Sequence, residues 1–99
     1  MNRYVIEVRT IPQKGDEAMA LFQELKAYFK NEHHKTLEVF YQAFGAPGMF
    51  QAVVDFDNLS ELEAISQAMR RDPQYKALSE RASLVFDTEK MTTSVYYRV

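Results

Sequence analysis

Polar and charged side chains recur at alternate positions of several β-like segments, and their types could support acid–base or ligand-binding chemistry. The set comprises three acids, two arginines, two glutamines and a tyrosine: Glu7, Arg9, Glu38, Gln42, Gln51, Asp55, Tyr96 and Arg98. Tyr96 beside an arginine could polarise an aromatic enol or phenolate, with Glu38 or Asp55 as the general base. A cofactor-free oxygenation would require only that the protein stabilise a substrate carbanion and exclude water.

The same charges also have a purely structural interpretation. Glu7 with Arg9, or Asp55 with Arg98, could form ion pairs that fix the register of a dimer. The alternate positions that carry these charges also carry large apolar side chains, namely Phe40, Phe44, Met49 and Val53. Because unpaired buried charge is costly, a face with both kinds of side chain favours a partly buried interface around a polar cavity.

Other motifs point to few further reactions. The adjacent histidines His33 and His34 would need a third donor to hold a metal ion, so we expect a solvated helix end and no metal site. A functional histidine, haem ligation included, is the less favoured alternative. The chain has no cysteine, which excludes disulfides and thiolate nucleophiles. A Gly-rich phosphate loop, a GxSxG elbow and an HExxH helix are absent, which argues against kinases, serine hydrolases and zinc proteases. We expect no cofactor.

The length and the charge of the chain limit its domain organisation, its partners and its location. The 99 residues suit one domain spanning 1–99. The net charge is −2 and the basic residues are scattered, so we expect no nucleic-acid partner. No segment has the run of about 20 apolar residues that a membrane span needs. Met1 to Tyr4 lead into a strand-like segment without a signal-peptide stretch, so a cytoplasmic location is expected.

Hydrophobic periodicity predicts the elements that position these side chains. Period-two alternation predicts strands at 3–10, 36–44, 49–57 and 92–99, with the middle two joined by the loop Gly45-Ala46-Pro47-Gly48. Helical spacing predicts a helix from Asp16 to about Glu32. A second helix is predicted to begin at a capping box formed by Ser60 and Glu63, and a third at Asp72-Pro73.

This order predicts an α+β fold of the ferredoxin-like βαββαβ type, with a four-stranded antiparallel sheet and its helices on one face. The helix-facing positions are almost wholly apolar: Tyr4, Ile6, Val8, Leu37, Val39, Tyr41, Ala43, Phe50, Ala52, Val54, Phe56, Val95 and Tyr97. The mixed face is left for a partner. Two such sheets meeting face to face would form a dimeric α/β barrel whose lumen could hold a ligand.

Several short segments resemble NIPSNAP-like proteins over nearly the whole chain. They are Ile6-Glu7-Val8-Arg9-Thr10-Ile11 with Lys14-Gly15, Asp55-Phe56-Asp57-Asn58-Leu59-Ser60-Glu61-Leu62, and Arg71-Asp72-Pro73-Gln74-Tyr75. The same pattern recurs in the wider dimeric α/β-barrel superfamily, which includes the antibiotic-biosynthesis-type monooxygenases. The resemblance implies a ferredoxin-like protomer and a homodimer paired through the sheet face.

The resemblance does not carry a catalytic set to this chain. The sequence has no tryptophan, whereas several cofactor-free oxygenases of the superfamily use an Asn/Trp/His-type set. Its third strand has Ala52-Val53-Val54-Asp55 where NIPSNAP-like proteins often have a histidine and a tryptophan. The favoured hypothesis is a NIPSNAP-like dimeric barrel protein that binds a small hydrophobic or aromatic molecule in the lumen. The alternatives are a cofactor-independent monooxygenase and a non-catalytic dimeric interaction module. Whether the chain is an enzyme stays open.

Overall fold

The strands and helices follow the predicted order closely. The structure, a computed structural model, describes residues 1–45 and 47–99, so Ala46 of the predicted loop lies outside the described residues. Within that range the strands are β1 (Asn2–Arg9), β2 (Leu37–Tyr41), β3 (Met49–Phe56) and β4 (Thr92–Tyr97). The helices are α1 (Gly15–His33), α2 (Leu59–Arg70) and α3 (Pro73–Val85), and a short 3₁₀ turn covers Thr88–Lys90.

The four strands form one antiparallel sheet in the order β2-β3-β1-β4, which is the predicted ferredoxin-like arrangement. The central strands β1 and β3 pair along their full length, from Asn2 opposite Phe56 to Arg9 opposite Met49. Because side chains alternate across a strand, this register assigns every residue to one of two faces. Val5 lies opposite Val53 on the face turned away from the helices, which we call the open face.

The helices cover the apolar face, as the sequence predicts. One buried cluster joins Val8 and Phe50 of the sheet to α1 and α3 through Leu21, Phe22 and Leu78. Phe22 lies between Phe50 and Phe86, with ring centroids 5.1 and 5.2 Å away. A second cluster on the same face consists of Leu37, Ala52, Val54 and Phe56. The apolar positions of β4 are less protected, since Val95 and Tyr97 are exposed.

The third helix begins where the sequence predicts. Asp72 is its N-cap and accepts a hydrogen bond from Gln74 N, and Pro73 is the first helical residue. The Tyr28 hydroxyl donates to the other Asp72 carboxylate oxygen at 2.7 Å, and so fixes α1 to the junction between α2 and α3. Burial of the Tyr28 ring raises the pKa of its hydroxyl, which therefore stays protonated and keeps donating.

Several predicted boundaries are wrong by one to three residues. The last strand ends at Tyr97 rather than at residue 99, so Arg98 lies outside it. The second strand ends at Tyr41 rather than at residue 44, because Gln42 N closes the hairpin on Met49 O and the Gln42 side chain donates to Phe44 O. Gly45, at φ +117°, then turns the chain in a conformation that favours glycine. Ala43 and Phe44 therefore lie outside the strand, and Phe44 is 92% exposed.

The cap of α2 also lies two residues earlier than predicted. Asn58 Oδ1 accepts from Glu61 N, and Glu61 Oε1 accepts from Asp57 N. The sequence holds two overlapping patterns of a capping residue followed three positions later by glutamate, one from Asn58 and one from Ser60. Asparagine caps as well as serine does, and the earlier start adds residues to the helix. Ser60 and Glu63 are exposed.

Candidate functional site

The eight candidate residues from the sequence are spread over the open face instead of meeting at one point. Glu38 and Gln42 belong to the β2 side of the sheet and Tyr96 to β4, at the opposite edge. With strands about 4.8 Å apart, Glu38 and Tyr96 are separated by roughly 14 Å across the sheet. Asp55, the other proposed base, lies two strands from Tyr96, with Arg3 between them. The open face of one protomer therefore places neither proposed base directly beside the proposed polarising hydroxyl.

Three of the eight border one concavity at the hairpin end of the open face. This hairpin groove has a volume of about 270 Å³ and includes Glu7, Gln42 and Gln51, with Phe40 and Met49 beside them. Gln51 Nε2 donates to Glu7 Oε1 at 2.9 Å, as expected for residues directly opposite in the β1–β3 register. The role of these side chains in ligand binding stays a prediction.

The ion pairs within the protomer differ from those the sequence suggests. Arg3 donates from two nitrogens to both carboxylate oxygens of Asp55, at 2.8 and 3.1 Å, since the two lie opposite each other in the register. This hydrogen-bonded guanidinium holds the pKa of Asp55 below its usual value. Tyr96 also lies opposite Arg3, whereas Glu7 lies opposite Thr92, at the far end of β4. Among the described residues, the salt bridges pair neither Glu7 with Arg9 nor Asp55 with Arg98.

Arg9 is placed at the end of β1, opposite Met49. Its Nε is buried and has no hydrogen-bond acceptor among the described residues. The long side chain therefore retains a donor that a partner group could satisfy. Arg98 follows β4, and its backbone N–H donates to Met1 O.

The two histidines differ from each other. His34 is exposed and caps α1 in the left-handed conformation, as a solvated helix end would be. His33 is half-buried, its Nε2 lies 3.2 Å from the Tyr28 hydroxyl, and its ring packs edge-on against Tyr28. The expectation of a solvated end is therefore wrong for His33. Across residues 1–45 and 47–99, no three histidine, aspartate or glutamate side chains are grouped so as to hold a metal ion.

A second concavity lies on the other side of the sheet, between the sheet and α2. This helix-side cavity measures about 300 Å³. Most of its lining is apolar: Ile6, Leu25, Phe29, Leu37, Ala52, Val54, Phe56, Leu62, Ile65 and Met69. The remaining lining residues are Tyr4, Ser66, Arg70 and Tyr75. The volume is at the lower end of the range of about 300–1,000 Å³ found for small-molecule pockets.

The cavity exists because α2 packs less closely than its neighbours. None of the twelve residues of α2, all of which the structure describes, is fully buried. Leu62, Ile65 and Met69 face the sheet, but they are only partly buried against the clusters below them. Ala52, in the floor of the cavity, offers a single methyl group where its neighbours on the same face are larger. A gap between packed layers follows directly from that missing volume.

Two of the polar lining residues, Ser66 and Arg70, belong to the second half of α2. Leu62, Ile65, Ser66, Met69 and Arg70 form one helical stripe, which is apolar except for these two residues. Tyr75 follows in the first turn of α3 and is partly buried. Burial, and secondarily the nearby Tyr4, raise the pKa of the Tyr75 hydroxyl. The lining is therefore mainly apolar and also includes two tyrosines, a serine and an arginine.

Sequence reasoning missed this cavity because its lining was assigned to the core. Ile6, Ala52 and Val54 belong to the predicted helix-covered face, and helical spacing puts Leu62, Ile65 and Met69 on the apolar side of α2. A signal was present in the sequence. Ala52 is a small residue in a strand of large ones, and Ser66 and Arg70 interrupt the apolar stripe of α2.

A third concavity runs along the free edge of β2 and is lined largely by polar side chains. It measures about 440 Å³ and contains Lys26, Lys30 and Lys35 together with Glu38. Lys35 is already engaged in an ion pair with Glu61. Although larger than the helix-side cavity, this groove offers less apolar surface to a small ligand.

Comparison with known proteins gives the fold a wider context. A NIPSNAP-domain protein of Burkholderia xenovorans superposes with a TM-score of 0.83 over 100% of this chain and 95% of its own, at 17% identity. A structure described as an antibiotic biosynthesis monooxygenase gives 0.78 over 100% and 99% at 15% identity, and a conserved protein of Methanosarcina mazei gives 0.76 over 99% and 92% at 20% identity. The chain shares their fold.

At these identities the likeness establishes the fold alone, since one fold hosts many functions. No protein-family model matches the sequence, and no curated protein matches it either. Within the described residues, no helix is both long and apolar enough to cross a membrane.

Proposed function

We propose that this protein binds a small hydrophobic or aromatic molecule in the helix-side cavity. The observation that carries the proposal is the combination of a largely apolar space of about 300 Å³ between two layers with a few polar residues in its lining. The side chains around such a space lack dispersion contacts that a ligand would restore. The polar lining residues can supply the few directional contacts that orient a bound molecule.

The hypothesis of a ligand in the barrel lumen is weaker than this one on geometric grounds. The hairpin groove is of similar size, but its polar members Glu7 and Gln51 already bond to each other, which leaves fewer free groups for a ligand. A lumen would also require a second protomer to close it. The lumen site stays a prediction, and the experiment below separates it from the cavity.

Binding is favoured over cofactor-free oxygenation. The names of the structural neighbours include monooxygenases, and such a reaction needs a general base beside the substrate. The cavity lining, as far as the described residues form it, contains neither a carboxylate nor a histidine. The candidate bases Glu38 and Asp55 belong to the opposite face of the sheet.

We further propose that the open face pairs with a second copy of the chain. Phe40 and Tyr96 are more than half exposed at opposite sides of this face, around the buried pair Val5 and Val53. The face carries both acids and arginines, so a twofold axis can set opposite charges against each other. A stable dimer of this kind is expected to bury about 1,200–2,000 Å² in total.

The ligand proposal is tested by titrating the protein with octan-1-ol, a neutral apolar probe, and measuring its affinity from the NMR chemical shifts. Ala52→Leu fills the floor of the cavity and is expected to weaken octan-1-ol binding at least tenfold. Gln51→Leu is the matched control, because the adjacent residue of β3 faces the open side. It is expected to change the affinity by less than twofold.

A tenfold loss of affinity in Gln51→Leu with little change in Ala52→Leu would place the ligand on the open face and overturn the proposal. Equal affinities in the wild type and both variants would overturn it as well. Overpacking costs about 1–3 kcal/mol, so thermal unfolding of Ala52→Leu verifies that it folds. Ile65→Phe, which fills the cavity from α2, serves as a second variant.

The dimer proposal is tested with Tyr96→Lys. This side chain is exposed in the protomer, so the substitution should leave folding intact while placing an unpaired charge in the interface. Native mass spectrometry is expected to show a dimer for the wild type and a monomer for the variant. A monomeric wild type at micromolar concentration would refute the pairing and leave the ligand proposal standing.

A further inference from the structure

The helix-side cavity is lined by polar residues that neither fold nor core explains. Arg70, an exposed residue at the last position of α2, lines the cavity, and no carboxylate among the described residues forms a salt bridge with it. Tyr4 and Tyr75 line the same cavity, and their hydroxyls form no side-chain hydrogen bonds to other described residues. Three residues with hydrogen-bond donors therefore line one largely apolar space.

The helix ends that meet here add no attraction for an anion. The α2 C-terminus disfavours an anion, and the positive end of α3, which begins three residues later, is already capped by the Asp72 carboxylate. Burial keeps the Tyr75 hydroxyl protonated, so it donates rather than carrying a negative charge of its own. Arg70 adds a full positive charge, and guanidinium groups match the geometry of carboxylates.

We propose that the ligand of the helix-side cavity is a small amphipathic carboxylic acid, with its apolar body along α2 and its carboxylate on Arg70 and the tyrosine hydroxyls. This inference rests on the proposed function and specifies its ligand class. A short alkyl chain and a single aromatic ring both suit a space of about 300 Å³.

The test compares octanoate with octan-1-ol, which has the same chain but no charge, on the wild type and two variants. Arg70→Gln removes the guanidinium of a residue that lines the cavity. Arg71→Gln, the matched control, removes the same charge from the next residue, which is equally classed as exposed but does not line the cavity. NMR titration at pH 7.5 in 50 mM NaCl gives all six dissociation constants.

Arg70→Gln is expected to weaken octanoate binding about tenfold and octan-1-ol binding less than twofold, because a charge-assisted contact is lost. Arg71→Gln is expected to change both by less than twofold. Raising NaCl to 500 mM should weaken octanoate binding to the wild type but not that of octan-1-ol. The matched pair 3-phenylpropanoate and 3-phenylpropan-1-ol distinguishes an aromatic body from an alkyl one.

Equal effects of Arg70→Gln on octanoate and octan-1-ol would overturn the carboxylate assignment while leaving the cavity as a binding site. Equal effects of Arg70→Gln and Arg71→Gln on octanoate would overturn it too, since only general electrostatics would then remain. Failure of both probes to bind the wild type would instead overturn the proposed function itself.

Discussion

The helix layer has two halves that use the same sheet face differently. Over one half, α1 and α3 bury Leu21, Phe22 and Leu78 against Val8 and Phe50 in a closely packed core. Over the other half, α2 buries no residue fully and leaves a cavity of about 300 Å³. The comparison shows that a closely packed core and a cavity can lie side by side on one apolar face in a chain of this length.

Matched leucine truncations test this division most strongly. Leu21→Ala removes a fully buried side chain and is expected to lower the free energy of unfolding by about 3 kcal/mol. Leu62→Ala acts on a partly buried side chain that already borders the cavity, and about 1 kcal/mol is expected. Urea unfolding measures both. Losses of equal size would show that the two halves contribute alike to stability and would contradict the comparison.

The hydroxyl that joins the two halves offers a second, smaller test. Tyr28→Phe removes the hydrogen bond from α1 to Asp72 and is expected to lower Tm by about 5 °C at neutral pH. The Tyr28 hydroxyl is the main cause that holds the pKa of Asp72 below its usual value. Such a carboxylate stabilises the fold above its unfolded pKa and loses this contribution as pH falls through the folded pKa.

The Tm difference between wild type and Tyr28→Phe should therefore be fully present near pH 7 and shrink below about pH 4. Thermal unfolding from pH 3 to pH 7 measures it. His33 lies beside the same hydroxyl, so the comparison is repeated in a His33→Gln background. A pH dependence that disappears in this background would assign the effect to His33 instead of Asp72.

The sequence predicted the order of the elements, the sheet and the start of α3, because these depend on local periodicity and on capping chemistry at Asp72-Pro73. The predicted end of β2 and the predicted cap of α2 are wrong. At each place the sequence allows two conformations, and hydrogen bonds of Gln42 and Asn58 select the one that forms.

The helix-side cavity could not be predicted from the sequence in the same way. Strand and helix periodicity show which side chains face the core, but they do not show how closely two layers approach. That distance depends on the summed volumes of side chains such as Ala52, Leu62 and Ile65, which are distant in the sequence and meet only in the folded protein.

The partial burial of α2 affects which substitutions this fold can tolerate. Leu62, Ile65 and Ser66 line the cavity and are only partly buried, so substitutions there are expected to change its shape at a smaller cost in stability than substitutions in the core. Substitutions at Leu21 or Phe22 do not have that freedom. Under the proposed function, ligand specificity would therefore change through one helix while the rest of the protomer stays unchanged.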